Sequence, residues 1–260
     1  MESKIEKGVQ LDVLLPADLP LPGQRLTMAA DVLSHLDNKY FFSFFLQDCI
    51  AKVDREKLTS GLVKMSAQKK LETEAESMNL EIQLIESCRN PQAIHSHSLL
   101  ADILIMSFMS EDNSLLDFFI ADKFLDRVAC PVLLSFGNFH IPEEIVFLFD
   151  FDPTSLTALK SFVSIFGDRL NAAKVTIVTT SPVDENAIFF EKCLIKYAQR
   201  RFADIGVVPV GAFQLEENLI ALMSKADSPW LIMGKMALPF LDHHRSLLKN
   251  GAFSIYSFNQ

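Results

Sequence analysis

Residues 145–166 read IVFLFDFDPTSLTALKSFVSIF, and this stretch decides the fold. Ile145–Phe149 is an apolar run of strand length. Asp150 and Asp152 follow, and Pro153 comes directly after. Asp152 is placed to cap a helix. Pro153 then takes the first helical position, where a missing N–H costs nothing. Leu156, Leu159, Val163, Phe166 and Leu170 recur at helical spacing and predict its core face. The β-branched run Val175–Thr179 completes a strand–helix–strand unit.

The same alternation continues outward in both directions. Downstream, Ile188, Ile195, Ala198 and Phe202 mark a helix with Gly206 just beyond its end. Strand Val207–Phe213, helix Leu215–Lys225, strand Trp230–Met233, helix Leu241–Lys249 and strand Phe253–Phe258 follow. Upstream, strands are expected at Val9–Leu15, Tyr40–Leu46, Leu80–Ile85, Ile103–Met106 and Val132–Phe136. The helices between them are expected at Leu19–Leu36, Asp54–Met78, Pro91–Leu99 and Leu115–Val128. Strand–helix alternation implies an α/β fold with parallel sheets, because parallel strands need long crossovers. The two halves share weak identity. Leu104-Ile105-Met106 recurs as Leu231-Ile232-Met233, Ser135-Phe136 as Ser257-Phe258, and Asp18 aligns with Asp150. A duplicated unit is therefore expected, with domains 1–137 and 143–260 joined by Asn138–Pro142.

Composition narrows the functional classes. The chain has 260 residues, a net charge of −9 and 49% hydrophobic residues, enough to build a core. The acidic balance argues against nucleic acid and anionic membranes, both of which need clustered Lys and Arg. No apolar run approaches the roughly 20 residues of a membrane helix. The charged N-terminus lacks the apolar core of a signal peptide, so a cytoplasmic location is expected. Cys49, Cys88, Cys130 and Cys193 are widely spaced, which predicts reduced, mostly buried thiols. Glycine is scarce, at 9 residues, and this weighs against phosphate loops that rely on close backbone approach.

Several stretches carry a family resemblance. Leu15-Pro16-Ala17-Asp18 and Leu148-Phe149-Asp150-Phe151-Asp152 each end a strand on an aspartate before a helix. Ala101-Asp102-Ile103-Leu104-Ile105-Met106 and Ala226-Asp227 to Met233-Gly234 read as matching fourth strands. Ala129-Cys130-Pro131-Val132-Leu133-Leu134 reads as the start of a fifth. In this arrangement the chain resembles a tandem universal stress protein. The resemblance implies two tandem open parallel five-stranded sheets flanked by helices, like the adenine nucleotide alpha hydrolases. It also implies a pseudo-dimer within one chain, paired through the fifth strands Pro131–Phe136 and Phe253–Phe258. Such pairing would cover two apolar edges.

ATP-binding members of that family carry Gly-x2-Gly-x9-Gly-Ser/Thr after the fourth strand. The glycines let backbone amides approach the phosphates, and the hydroxyl adds a donor. The first copy has Ser107-Phe108-Met109-Ser110 there and no glycine from 107 to 136. The second keeps Gly234 but has Ala237, Leu247 and Leu248 at the other motif positions. Asp18, Asp150 and Gly234 are the remnant nucleotide-cleft positions. On a competing reading, Asp150 caps a helix and Gly234 turns the chain. Trp230, in the neighbouring strand, is expected to lie close enough to the cleft to report on it.

No G-x-S-x-G elbow, HExxH or Walker motif is present, so no catalytic residues are assigned. His243 and His244 are adjacent on a predicted helix, where neighbours point about 100° apart, and His95 and His97 fall on another helix. No metal site is expected. Glu216-Glu217 and Asp184-Glu185 read as acidic helix starts. The expected function is that of a universal-stress-type, non-catalytic protein acting through a protein partner or a small ligand, with no cofactor. The alternative is a stress-response module that binds ATP in its second domain.

Overall fold

The computed structural model describes residues 10–16, 29–30, 33, 39–45, 69, 72–73, 75–78, 81–85, 91–108, 120, 123–136, 141–167, 170–180, 185–211, 214–245 and 253–258. Chain contacts divide into two compact units, residues 1–105 and 106–260.

In the first unit, β1 (Gln10–Pro16) pairs in parallel with β2 (Lys39–Phe45), and β2 with β3 (Glu81–Ile85). Helix α1 (Pro91–Ser98) leads into β4 (Ile103–Phe108), which pairs in parallel with the other side of β1. Leu11, Val13, Leu14 and Leu15 are buried along β1. The Asp102 carboxylate accepts from the Asp12 amide at 2.8 Å, and the Asp102 amide donates to the Asp12 carbonyl at 2.8 Å. This exchange sets where β4 joins the sheet. Burial, reinforced by the Asp102 charge, pushes the Asp12 carboxyl up from its usual value.

The second unit holds β5 (Val132–Phe136), β6 (Glu144–Phe149), α2 (Pro153–Phe166), β7 (Lys174–Thr180), α3 (Glu185–Gln199), β8 (Asp204–Val210), α4 (Leu215–Met223), β9 (Trp230–Met233), α5 (Ala237–His243) and β10 (Phe253–Ser257). The strand order is β5-β10-β9-β6-β7-β8. Every neighbouring pair is parallel except β5 with β10, which is antiparallel, with Leu134 opposite Ile255. β6 lies between β9 and β7 and is buried from Ile145 to Phe149. A parallel strand covered on both faces needs such an unbroken apolar run. Lys174 and Glu144, opposite each other in the β6–β7 ladder, pair at 3.0 Å.

Helix α2 packs across β6, β9 and β10 in the middle of this sheet. Phe162 and Phe166 meet Trp230 and Tyr256 edge to face, with centroids 5.2 to 6.1 Å apart. The buried Tyr256 hydroxyl donates to Ser161 Oγ at 3.0 Å. Burial holds its phenol well above the usual range.

β5 pairs with β10 and falls in the second compact unit. Several local expectations shift. The helix expected over 115–128 is broken, since Lys123 adopts φ 48° and Phe124–Arg127 forms a 3-10 turn. The core stripe of α2 is Ser155, Ala158, Leu159, Phe162, Val163 and Phe166, while Leu156 is half-exposed. Gly206 lies inside β8, opposite Thr176, rather than after α3. Seven consecutive pairings with β7 outweigh the local turn preference there. Ile188 faces outward, and the inner face of α3 is Ala187, Leu194 and Ala198. Cys193 is exposed, against the expectation of buried thiols, and Cys130 is buried. The Cys49 and Cys88 sites and most of the helices expected over 19–36 and 54–78 lie outside the described residues.

Candidate functional site

The chain passes from β6 to β7 and β8 on one side, then returns to place β9 on the other side of β6. The carboxyl ends of β6 and β9 therefore flank a point where strand order reverses. Open α/β sheets bind ligands at such points.

The β6 end is built by a tight polar turn. Asp150 Oδ1 accepts from the Asp152 amide at 3.1 Å. Phe151, between them, takes a left-handed φ of 61°, uncommon for a bulky residue. Its ring packs on Phe149 at 4.6 Å, which helps to hold that conformation. Asp152 caps α2, as expected. Its Oδ1 accepts from the Thr154 amide at 3.0 Å and the Thr154 hydroxyl at 2.7 Å. The Ser155 hydroxyl donates to the Asp152 carbonyl at 2.7 Å.

The β9 end closes onto this turn. A Cβ at Gly234 would lie 2.3 Å from Thr154 Oγ1 and 2.5 Å from the Ser155 amide nitrogen, so only glycine fits. The Gly234 carbonyl accepts from Ser257 Oγ at 3.3 Å. The Lys235 amide donates to Thr154 Oγ1 at 3.0 Å, and the Lys235 ammonium donates to Asp152 Oδ2. The Lys235 hydrogen bond, then those from Thr154, lower the Asp152 carboxyl to about 2. Its partner shifts the other way, with the Asp152 hydrogen bond raising Lys235.

Asp150 and Gly234 thus meet at one site, while Asp18 lies outside the described residues, as do Leu247 and Leu248. Sequence reasoning missed Lys235 and Thr154. A lysine directly after a strand-end glycine was the available signal. Trp230 does not border this site: it begins β9, whereas Gly234 follows its end, and it is buried against α2.

A second polar cluster joins α4 to α5. Glu216 Oε1 lies 3.3 Å from His243 Nδ1, and Oε2 lies 3.0 Å from His244 Nε2. The adjacent imidazoles converge because His244 has left helical geometry and each uses a different ring nitrogen. The hydrogen bond from His243 comes first among the causes that lower the Glu216 carboxyl. Among the described residues no group of His, Cys, Asp and Glu is arranged to hold a metal ion. No described helix is long and apolar enough to cross a membrane.

No family model and no curated protein matches the chain. Solved structures do. A universal stress protein from Archaeoglobus fulgidus DSM 4304 aligns over 96% of this chain and 96% of its own, with TM-score 0.64 and 11% identity. A protein of Pseudomonas aeruginosa UCBPP-PA14 assigned to the same group aligns over 96% and 92%, with TM-score 0.58 and 16% identity. At these identities the likeness is one of fold. The chain has the α/β fold of universal stress proteins, with a mostly parallel sheet flanked by helices.

Proposed function

We propose that this is a universal-stress-type protein without catalytic activity, built as a tandem pseudo-dimer of two five-stranded units, whose second-domain cleft is closed by its own side chains. The observation that carries this reading is the Asp152 carboxylate. It takes both the Thr154 amide and the Lys235 ammonium, the amide and the cation that a phosphate at this end of α2 would use. An incoming phosphate must displace an internal anion and would meet Asp150 beside it. Function then runs through a protein partner or a small non-phosphorylated ligand, in the cytoplasm.

The alternative is a nucleotide-binding module in the second domain, and one observation favours it. Lys235 is exposed beside Gly234 and Thr154, so its ammonium can turn to a phosphate without refolding. Isothermal titration of the full chain with magnesium ATP separates the two readings. The expected result is no saturable heat below about millimolar ATP, because each lost charge-assisted hydrogen bond costs about 1 kcal/mol or more. Saturable micromolar binding that Lys235→Ala abolishes establishes the alternative.

A further inference from the structure

Helix α3 turns aromatic residues toward solvent. Phe189 is 65% exposed and Phe190 54%, with Ile188 beside them at 40%. Its inner face is satisfied by Ala187, Leu194 and Ala198, so the outward phenylalanines are not needed by the core beneath. At about 100° per residue, the stripe opposite that inner face is Glu185, Phe189, Lys192, Lys196 and Arg200, with Cys193 at its margin. Each of these residues is exposed.

The stripe is complementary to itself when reversed. Its acidic residue lies at the N-terminal end, its basic residues toward the C-terminal end, and its aromatic between them. An antiparallel copy of α3 with a two-fold axis between Lys192 and Cys193 sets Glu185 opposite Arg200. The same axis sets Phe189 opposite Lys196, an ammonium against a ring face. Both pairs form twice, as an isologous contact requires. A parallel pairing would instead set Glu185 on Glu185 and Arg200 on Arg200.

We infer that α3 is a homodimer interface, and that its occupant is the α3 helix of a second copy of this chain. The inference goes beyond the cleft reading and does not depend on it. One helix face per copy sits at the small end of interfaces, under about 1,200 Å² in total, so affinity of about micromolar is expected. Helix axes about 8–10 Å apart bring the two Cys193 side chains to the same side of the axis, within reach of a short cross-linker.

Sedimentation equilibrium of the full chain, from about 1 to about 200 μM, tests the inference. The expected result is a reversible monomer–dimer equilibrium. Phe189→Ser should weaken it about tenfold or more while leaving the circular dichroism spectrum unchanged, because that residue is exposed. Glu185→Arg should weaken it, and adding Arg200→Glu to the same chain should restore it. A short bis-maleimide should give a covalent dimer that Cys193→Ser eliminates. A chain monomeric over the whole range overturns the inference. So does a dimer indifferent to Phe189→Ser, or a cross-link that survives Cys193→Ser. Binding of the monomer to phosphatidylglycerol vesicles through Phe189 also overturns it, since it assigns the patch to lipid.

Discussion

At Gly234 the two strand ends approach so closely that a single methyl group decides the packing. The Cβ of Gly234→Ala would meet Thr154 Oγ1 and the backbone of Ser155, and backbone at a capped helix start cannot yield cheaply. We expect Gly234→Ala to destabilise the protein by about 1–3 kcal/mol in urea unfolding. The close packing gives Gly234 a structural reason to be glycine that is independent of any phosphate. Asp152 permits a cleaner electrostatic test, because Asp152→Asn keeps a good cap while removing the charge. Its carboxyl is lowered from 3.8 to about 2 in the folded state. The stabilisation from that shift is therefore fully present above pH 3.8 and is lost as pH falls toward about 2. The stability gap between wild type and Asp152→Asn should narrow across that window in denaturant titrations run at stepped pH. A gap independent of pH would show that the Lys235 contact contributes nothing through charge.

Among the elements of the second unit, α2 packs on three strands, β6, β9 and β10. Its N-terminus shapes the cleft, and its C-terminal half covers β9 and β10 with Phe162 and Phe166. Phe162 is fully buried between Trp230 and Tyr256. Phe162→Ala should cost about 3–5 kcal/mol, read as a lowered urea midpoint. The neighbouring phenol gives a second, pH-dependent expectation. Tyr256 ionises well above its unfolded value of 10.0, because burial disfavours the anion. Stability should therefore fall as pH rises past 10.0, and tyrosinate absorbance from Tyr256 should appear only with unfolding. Its appearance in the folded chain near pH 10.0 would contradict the burial.

For the molecule as a whole, β10 lies between β5 and β9 and pairs with both. Deleting residues 246–260 strips one edge from each of those buried apolar strands at once. Such edges recruit other chains. The truncated protein should aggregate in size-exclusion chromatography with light scattering, whereas the full chain runs as the discrete species that the α3 contact sets.

Residues 145–166 determined the strand, the Asp152 cap, the Pro153 start and the helix by themselves, because those signals act within one or two turns of the chain. From β6 to β10 the alternation of strand and helix was legible for the same reason, and β9 begins and ends where its apolar run does. Gly206 was misread because its local signal, a glycine after a helical pattern, lost to pairing with β7, which no local window contains. Likewise Lys123 breaks a run whose apolar spacing suits a helix, because Phe124, Leu125 and Val128 are buried from a turn instead. Only the tertiary structure joined Asp152 to Lys235, 83 residues apart, and Glu216 to His244, 28 residues apart. Contacts at that separation leave no periodicity in the chain. They exist because β9 returns to the side of β6 opposite β7, and strand order is settled by burial across the whole sheet.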